Sequence, residues 1–243
     1  MKNNIPAVVF SIAIVLAAFV LGNAFMNRNA REGSISVTGL GKTDFTSDLI
    51  VWTASFSKVN FDLKEAYSDL EKDKALVAEY LENKGIERSK FVFGSVNTQK
   101  NTQAVYSDEG RYLYEEFTGY TLDQSVEVKS KKVEKVENVS REITELLHQG
   151  VQVYSNNPRY YYTQLEDLKV EMISRATENA FLRASKIAEN SGAQLSELTV
   201  ANMGIFQITG QHSVEDYSWG GAFNTTSKEK TASITMKLTY KVK

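Results

Sequence analysis

The 243 residues contain no cysteine. That excludes disulfides, thiolate metal centres and a lipid-modified cysteine near the N-terminus, and it fits envelope and cytosolic proteins alike. Histidine is nearly as scarce. His148 and His212 are the only two, so a histidine-rich metal centre is excluded too. Only two prolines occur, and because proline cannot donate to a ladder, their scarcity favours long uninterrupted strands. The formal net charge is −2, so no global basic field recruits nucleic acid. No cofactor motif is present either. Gly39-Leu40-Gly41 leads into more strand-like sequence, whereas a dinucleotide loop needs glycines that open a helix; a bulge or tight strand bend is the expected role.

One long hydrophobic run stands out. Ile5 to Leu21 carries no charge and is almost wholly apolar, with Lys2 before it and Arg28 and Arg31 after it. Extended by Gly22 to Met26, it just covers a hydrocarbon core of roughly 30 Å at about 1.5 Å per residue. Residues 1–27 are therefore expected to form a membrane anchor that meets the bilayer through residues 5–26. Residues 28–33 then act as a linker and 34–243 as one folding unit. A cleaved signal peptide is the alternative, with Gly22-Asn23-Ala24 as its small-x-small site; a buried soluble helix is the third. Positive charges flank both sides and leave orientation open, but a segment this close to the N-terminus favours export of the C-terminal domain.

The remainder alternates between strand and helix patterns. In Leu49 to Lys58, Ile50, Trp52, Ala54 and Phe56 share one face, the mark of a sheet strand covered on one side. Asp62 to Lys84 reads as a helix with Asp62 as N-cap and Ala66, Leu70, Val77 and Leu81 as its apolar stripe. Strands are expected at Phe91–Gln99 and Tyr112–Lys129, a linking helix at Lys131–Gln149, and short strands at Val151–Tyr154 and Arg159–Gln164. A third helix at Glu166–Asn190 would stack Ile173, Ala176, Ala180, Ala184 and Ile187. A strand at Leu198–Ile208, a long polar loop at Thr209–Glu229 and a strand at Lys230–Lys243 complete the chain.

Two helix ends share a string. Glu82-Asn83-Lys84-Gly85 and Glu189-Asn190-Ser191-Gly192 each stop a helix just before a strand, so both glycines are expected in the left-handed conformation that caps the last carbonyls. The similarity points to an internal duplication of strand, helix, strand, strand over about 49–129 and 159–243. An α+β fold follows, with antiparallel sheets packed against helices.

No catalytic constellation emerges. His148 suits a helix C-terminus. His212, with Glu215, Asp216 and a nearby serine, could be assembled into a hydrolytic set, but a loop supplies no fixed geometry. Tyr160-Tyr161-Tyr162 fits cross-strand packing better than a binding platform. Tyr217, Trp219 and Phe223 interrupt an otherwise solvated loop, and aromatics favour interfaces; they are the candidate contact with a subunit or partner.

The opening Ile35-Ser36-Val37-Thr38-Gly39-Leu40-Gly41, the strand Leu49–Lys58, the alanine-rich helix ending in Asn190-Ser191-Gly192 and the final alternating strand together resemble the SIMPL-domain family over roughly 34–243. The family includes bacterial periplasmic and outer-membrane-associated immunogenic proteins. The resemblance implies an exported domain of two related α+β halves, assembly into large ring-like oligomers in some members, and a family-level link to oxidative-stress tolerance. It implies no catalytic residues and no cofactor. The leading expectation is a non-enzymatic envelope protein, anchored in the inner membrane or cleaved and soluble in the periplasm. It would self-associate through strand edges and the 209–229 loop. A binding module for a lipid, peptide or glycan fragment is the alternative, with its ligand unidentified.

Overall fold

The computed structural model describes residues 5–28, 33–214 and 218–243. Among them the fold is α+β, with four α-helices and antiparallel sheets. Its contacts divide into two compact units: Gly41–Ser174 with Ile205–Ile234, and Met1–Leu40 with Arg175–Gly204 and Thr235–Lys243.

The first helix, α1 (Ile5–Arg28), has 24 residues. Its described side chains, from Val9 to Phe25, are all exposed. Among the described residues no helix is long and apolar enough to cross a membrane.

The 41–174 unit is built on β2 (Leu49–Asn60) and β5 (Tyr112–Ser130), which pair antiparallel from Ile50↔Ser130 to Asn60↔Tyr120. Ile50, Trp52, Ala54 and Phe56 all point inward, as their alternation requires. The shorter β3 (Phe91–Phe93), β4 (Asn97–Tyr106), β6 (Gln152–Ser155) and β7 (Arg159–Tyr161) complete a six-stranded sheet. Helix α2 (Leu63–Asn83) lays its buried stripe of Ala66, Leu70, Val77 and Leu81 into the same core. Full burial of each large apolar side chain there contributes about 2 kcal/mol. Asp62 caps α2 by accepting from the Lys64 and Glu65 amides at 2.8 and 3.0 Å. The linking segment shortens to α3 (Val133–Glu142), followed by a 3-10 stretch at Ile143–Gln149. That change of period turns Leu147 out to solvent while Ile143 and Leu146 stay buried.

Helix α4 (Leu165–Ser191) runs through both units. Its buried positions are Leu168, Met172, Ala176, Ala180, Ala184 and Ala188, one every fourth residue. Ile173 is half-buried and Ile187 exposed, so the stripe is rotated from the one expected. Small side chains let β1 (Ser34–Thr46) approach the helix backbone. A Cβ on Gly39 would lie 2.1 Å from the Ala176 carbonyl oxygen and 2.5 Å from the Ala180 amide nitrogen. Gly39 thus sits in a continuous strand rather than at a bulge or bend, and the need for glycine comes from close packing.

β1 belongs to a second sheet of order β1-β10-β8, formed with β8 (Leu195–Met203) and β10 (Glu229–Val242); β9 (Gln207–Gly210) also pairs with β10. This sheet has the same strand order as the first. In the first sheet β5 lies between β2 and β3 and pairs through its earlier half with β4. In the second, β10 lies between β1 and β8 and pairs through its earlier half with β9. The place that β2 takes in the first sheet is filled in the second by β1, far upstream, and not by Arg159–Gln164 as the expected repeat of 159–243 required. That segment instead supplies β7, which pairs with β2.

Both shared-string glycines are left-handed, with φ of 78° at Gly85 and 71° at Gly192. Ile86 N–H donates to Leu81 O and Gly85 N–H to Glu82 O, at 2.9 and 2.8 Å. Ala193 and Gly192 repeat the pattern onto Ala188 and Glu189, the two-bond glycine cap of a helix C-terminus.

Candidate functional site

The segment after β8 is less of a loop than its composition suggests. Gln207 to Gly210 form β9, with Gln207, Ile208 and Gly210 buried. The Gln207 side chain reaches across to the segment beginning at Ser218. Its Nε2 donates to the Ser218 carbonyl at 2.8 Å, and its Oε1 accepts from the Ala222 amide at 2.6 Å. Ile208 adds a backbone bridge to Phe223, receiving the Asn224 amide at 2.9 Å and donating to Ala222 O at 2.7 Å.

Two of the three aromatics singled out from the sequence sit on this pinned segment. Trp219 is 95% exposed and Phe223 53%; Tyr217 lies outside the described residues. Ile205, at the entry to β9, is also largely exposed. The segment's backbone is held by a buried amide, while its tryptophan stands nearly fully exposed. Periodicity carries no sign of Gln207, because a glutamine heading a four-residue strand has no pattern to break.

A second aromatic surface was not anticipated. β2 stops pairing with β5 at Tyr120, so residues before it in β5 pair with β4 alone. A register shift between Asn101 and Thr102 bends this two-stranded ribbon. Tyr106, Tyr112, Leu113 and Tyr114 on it are each more than half exposed. A lone ribbon of this kind is marginally stable in water. The available signal was the run Tyr112-Leu113-Tyr114, which is apolar on both faces of a strand.

The histidine reading resolves into a structural arrangement. His212 is exposed, with a left-handed φ of 58°. It lines a polar cleft of about 230 Å³ with Lys42, Asp44, Thr209, Gln211, Ser213 and Thr231. Asp44 accepts from the Thr231 hydroxyl and, at 3.2 Å, from the Gln211 amide. The Thr231 bond, then Gln211, then Lys42 and His212 hold its carboxyl below the ordinary range. The carboxylate thus ties β1 to β10, while Glu215 and Asp216 lie outside the described residues. His148 is exposed in the 3-10 stretch beyond α3 rather than at an α-helix end. Tyr160 is buried opposite Ile50, in line with cross-strand packing, and burial raises its phenol above the usual range.

An opening of about 760 Å³ lies at the start of α3 between Lys131, Lys132, Lys135 and Lys228. Two of these cations are already paired, Lys132 with Glu87 at 3.0 Å and Lys228 with Glu137 at 3.4 Å. Asp48, Glu134 and Glu229 line the same opening, so it carries no net positive field. Among the described residues no group of three or more His, Cys, Asp or Glu could hold a metal ion.

The described residues thus form an α+β fold whose two antiparallel sheets have matching strand orders, β3-β5-β2 and β8-β10-β1. The family model described as SIMPL, "Protein of unknown function (DUF541)", matches residues 35–242, and the chain belongs to that family. No curated protein matches it.

Proposed function

We propose that this chain is a non-enzymatic, exported protein of the bacterial cell envelope, anchored by α1 and self-associating through its exposed aromatic surfaces. The observation that carries the reading is Trp219: 95% exposed on a segment fixed by three hydrogen bonds to Gln207. Rigid presentation lowers the entropy cost of association, and a tryptophan is the side chain most often energetically dominant at an interface. The aromatic ribbon of β4 and β5 offers a second contact that association would stabilise. Anchoring is supported by the uncharged, apolar stretch from Ile5 to Leu21 in the sequence. A contribution to stress tolerance would then be that of an assembled envelope structure, since cysteine is absent.

Light scattering on the full chain in detergent, comparing wild type with Trp219→Ser, tests the reading. The wild type is expected as a discrete oligomer, and the variant as a smaller species with an unchanged circular dichroism spectrum. Equal masses for the two would exclude Trp219 as the contact.

A further inference from the structure

β1 is an edge strand. Among the described residues of its sheet, only β10 pairs with it. The Val242 amide donates to Gly33 O at 2.9 Å, and the Thr239 hydroxyl donates to Ser36 Oγ at 3.1 Å, so the two strands run antiparallel. Every second residue of such a strand turns its amide and carbonyl to the neighbour. With Gly33 facing β10, residues Ile35, Val37 and Gly39 do the same, and Ser36, Thr38 and Leu40 turn theirs outward. An outward row of unpaired donors and acceptors is a template for another strand. In the first sheet the matching place is no edge, because β2 is paired on that side by β6 and β7.

Along β1, helix side chains take the outward groups instead. The Leu40 amide donates to Asn179 Oδ1 at 3.2 Å, and the Thr38 carbonyl accepts from Arg183 Nη1 at 2.9 Å. Asn179 and Arg183 stand four apart on α4, one turn from each other on the same face, and their targets lie on alternate residues of the strand. Asparagine is short, so its reach depends on a close approach of helix and strand. Gly39, between the two capped residues, provides it, since a Cβ there would lie 2.7 Å from the Cβ of Ala180, next to Asn179. Arg183 also sets an exposed charge on the edge, a feature that discourages strand addition. The opposite edge is protected by other means. β8 carries two register shifts against β10 and the charge of Glu197, and both bulges and charges blunt an edge.

We infer that Asn179 and Arg183 form a guard that closes β1 to strand addition, so that a second copy of this chain does not extend the sheet there. The guard directs self-association to other surfaces, and it stands whether or not Trp219 is a contact.

The test uses the full chain in detergent with Trp219→Ser as the parent, so that contacts through the tryptophan do not contribute. Asn179→Ala with Arg183→Ala opens the edge, at positions where alanine suits a helix. Light scattering over a range of concentrations is read beside hydrogen exchange. At low concentration the Leu40 amide should exchange about fivefold faster, the effect of losing one hydrogen bond. As concentration rises, the mass should climb above that of the parent and protection should appear at Ser36, Thr38 and Leu40. Ile35, Val37 and Gly39, facing β10, should stay protected throughout. Asn179→Asp with Arg183→Lys keeps an acceptor and a donor in place, and should match the parent in mass and exchange. An alanine pair whose mass stays that of the parent at every concentration overturns the inference. A rise in mass with protection lost at Val37 and Gly39 also overturns it, because that marks unfolding rather than strand addition. So does a conservative pair that associates as the alanine pair does. Whether Trp219→Ser itself lowers the mass bears only on the association reading.

Discussion

Replacing Gly39 with alanine tests the close approach of β1 to α4. The added methyl would sit 2.1 Å from Ala176 O, 2.5 Å from Ala180 N and 2.7 Å from Ala180 Cβ, where carbon contacts normally settle near 3.5–4.0 Å. The two nearest atoms are backbone, so no rotamer change relieves them, and α4 must move away from β1 by more than an ångström. Overpacking of this kind costs about 1–3 kcal/mol, and the rigid obstacle puts this case near the upper figure. That is a large share of the roughly 5–15 kcal/mol that holds a typical domain. Urea unfolding followed by circular dichroism, with hydrogen exchange at the amides of α4, would measure it, since two compact units need not unfold together. Protection should fall in α4 and β1. Adding Ala180→Gly should not restore it, because the first obstacles lie on the main chain. A Gly39→Ala protein within about 0.5 kcal/mol of wild type, the range of an ordinary surface change, would refute the close-packing explanation.

Asp73 is 4% exposed on the apolar stripe of α2 and is paired with Lys58 Nζ at 3.1 Å. Burial raises its carboxyl above the ordinary 3.8, and Lys58 opposes that rise. Lys58→Met also removes a bond to Gly150 O and should cost about 2–3 kcal/mol at neutral pH. The full cost of orphaning a buried charge is reduced here because a quarter of the Lys58 side chain is exposed. With the folded value raised, the native state binds the proton more tightly, so the penalty should shrink as pH falls from above that value toward 3.8; a penalty independent of pH would contradict this. Alanine at Gly85 or Gly192 should cost on the order of 1 kcal/mol in denaturant titrations, because alanine resists the left-handed cap. Gln207→Leu strands the Ser218 carbonyl and Ala222 amide at a cost of about 1–3 kcal/mol; exchange should rise across residues 218–224, and unchanged protection there would show that the side chain does not pin the segment.

Elements with strong local periodicity were readable from the sequence: β2 from its alternation, α2 from its stripe and Asp62 cap, β10 from Ala232 through Tyr240, and both glycine stops. What escaped depends on distant partners. The pairing of β1 with β10 is fixed by contacts such as Ser36 with Thr239 and Gly33 with Val242, and no local pattern encodes which strand completes a copy. Gly39 read as a bend because the helix backbone that demands glycine lies well over a hundred residues downstream. The glycine stop itself proved less specific to duplication than it looked. Gly150 makes the same two-bond cap, with Val151 donating to Leu146 O and Gly150 to Leu147 O, and φ of 79°. The topological match of the two sheets is the stronger evidence. At the candidate site, the aromatics were visible as misfits in a polar stretch. Their rigid presentation was not, because it depends on one buried glutamine.

Replacing residues 213–224 with a flexible linker would be a blunt test of association, since it also deletes the bridge between Phe223 and Ile208. The direct measurement is the native mass of the full-length protein extracted from its membrane in mild detergent. One discrete species at an integer multiple of 27.2 kDa, greater than one and persistent on dilution, is expected of an anchored, self-associating envelope protein. A single species at 27.2 kDa, or a full-length chain recovered entirely in the soluble fraction, would contradict it.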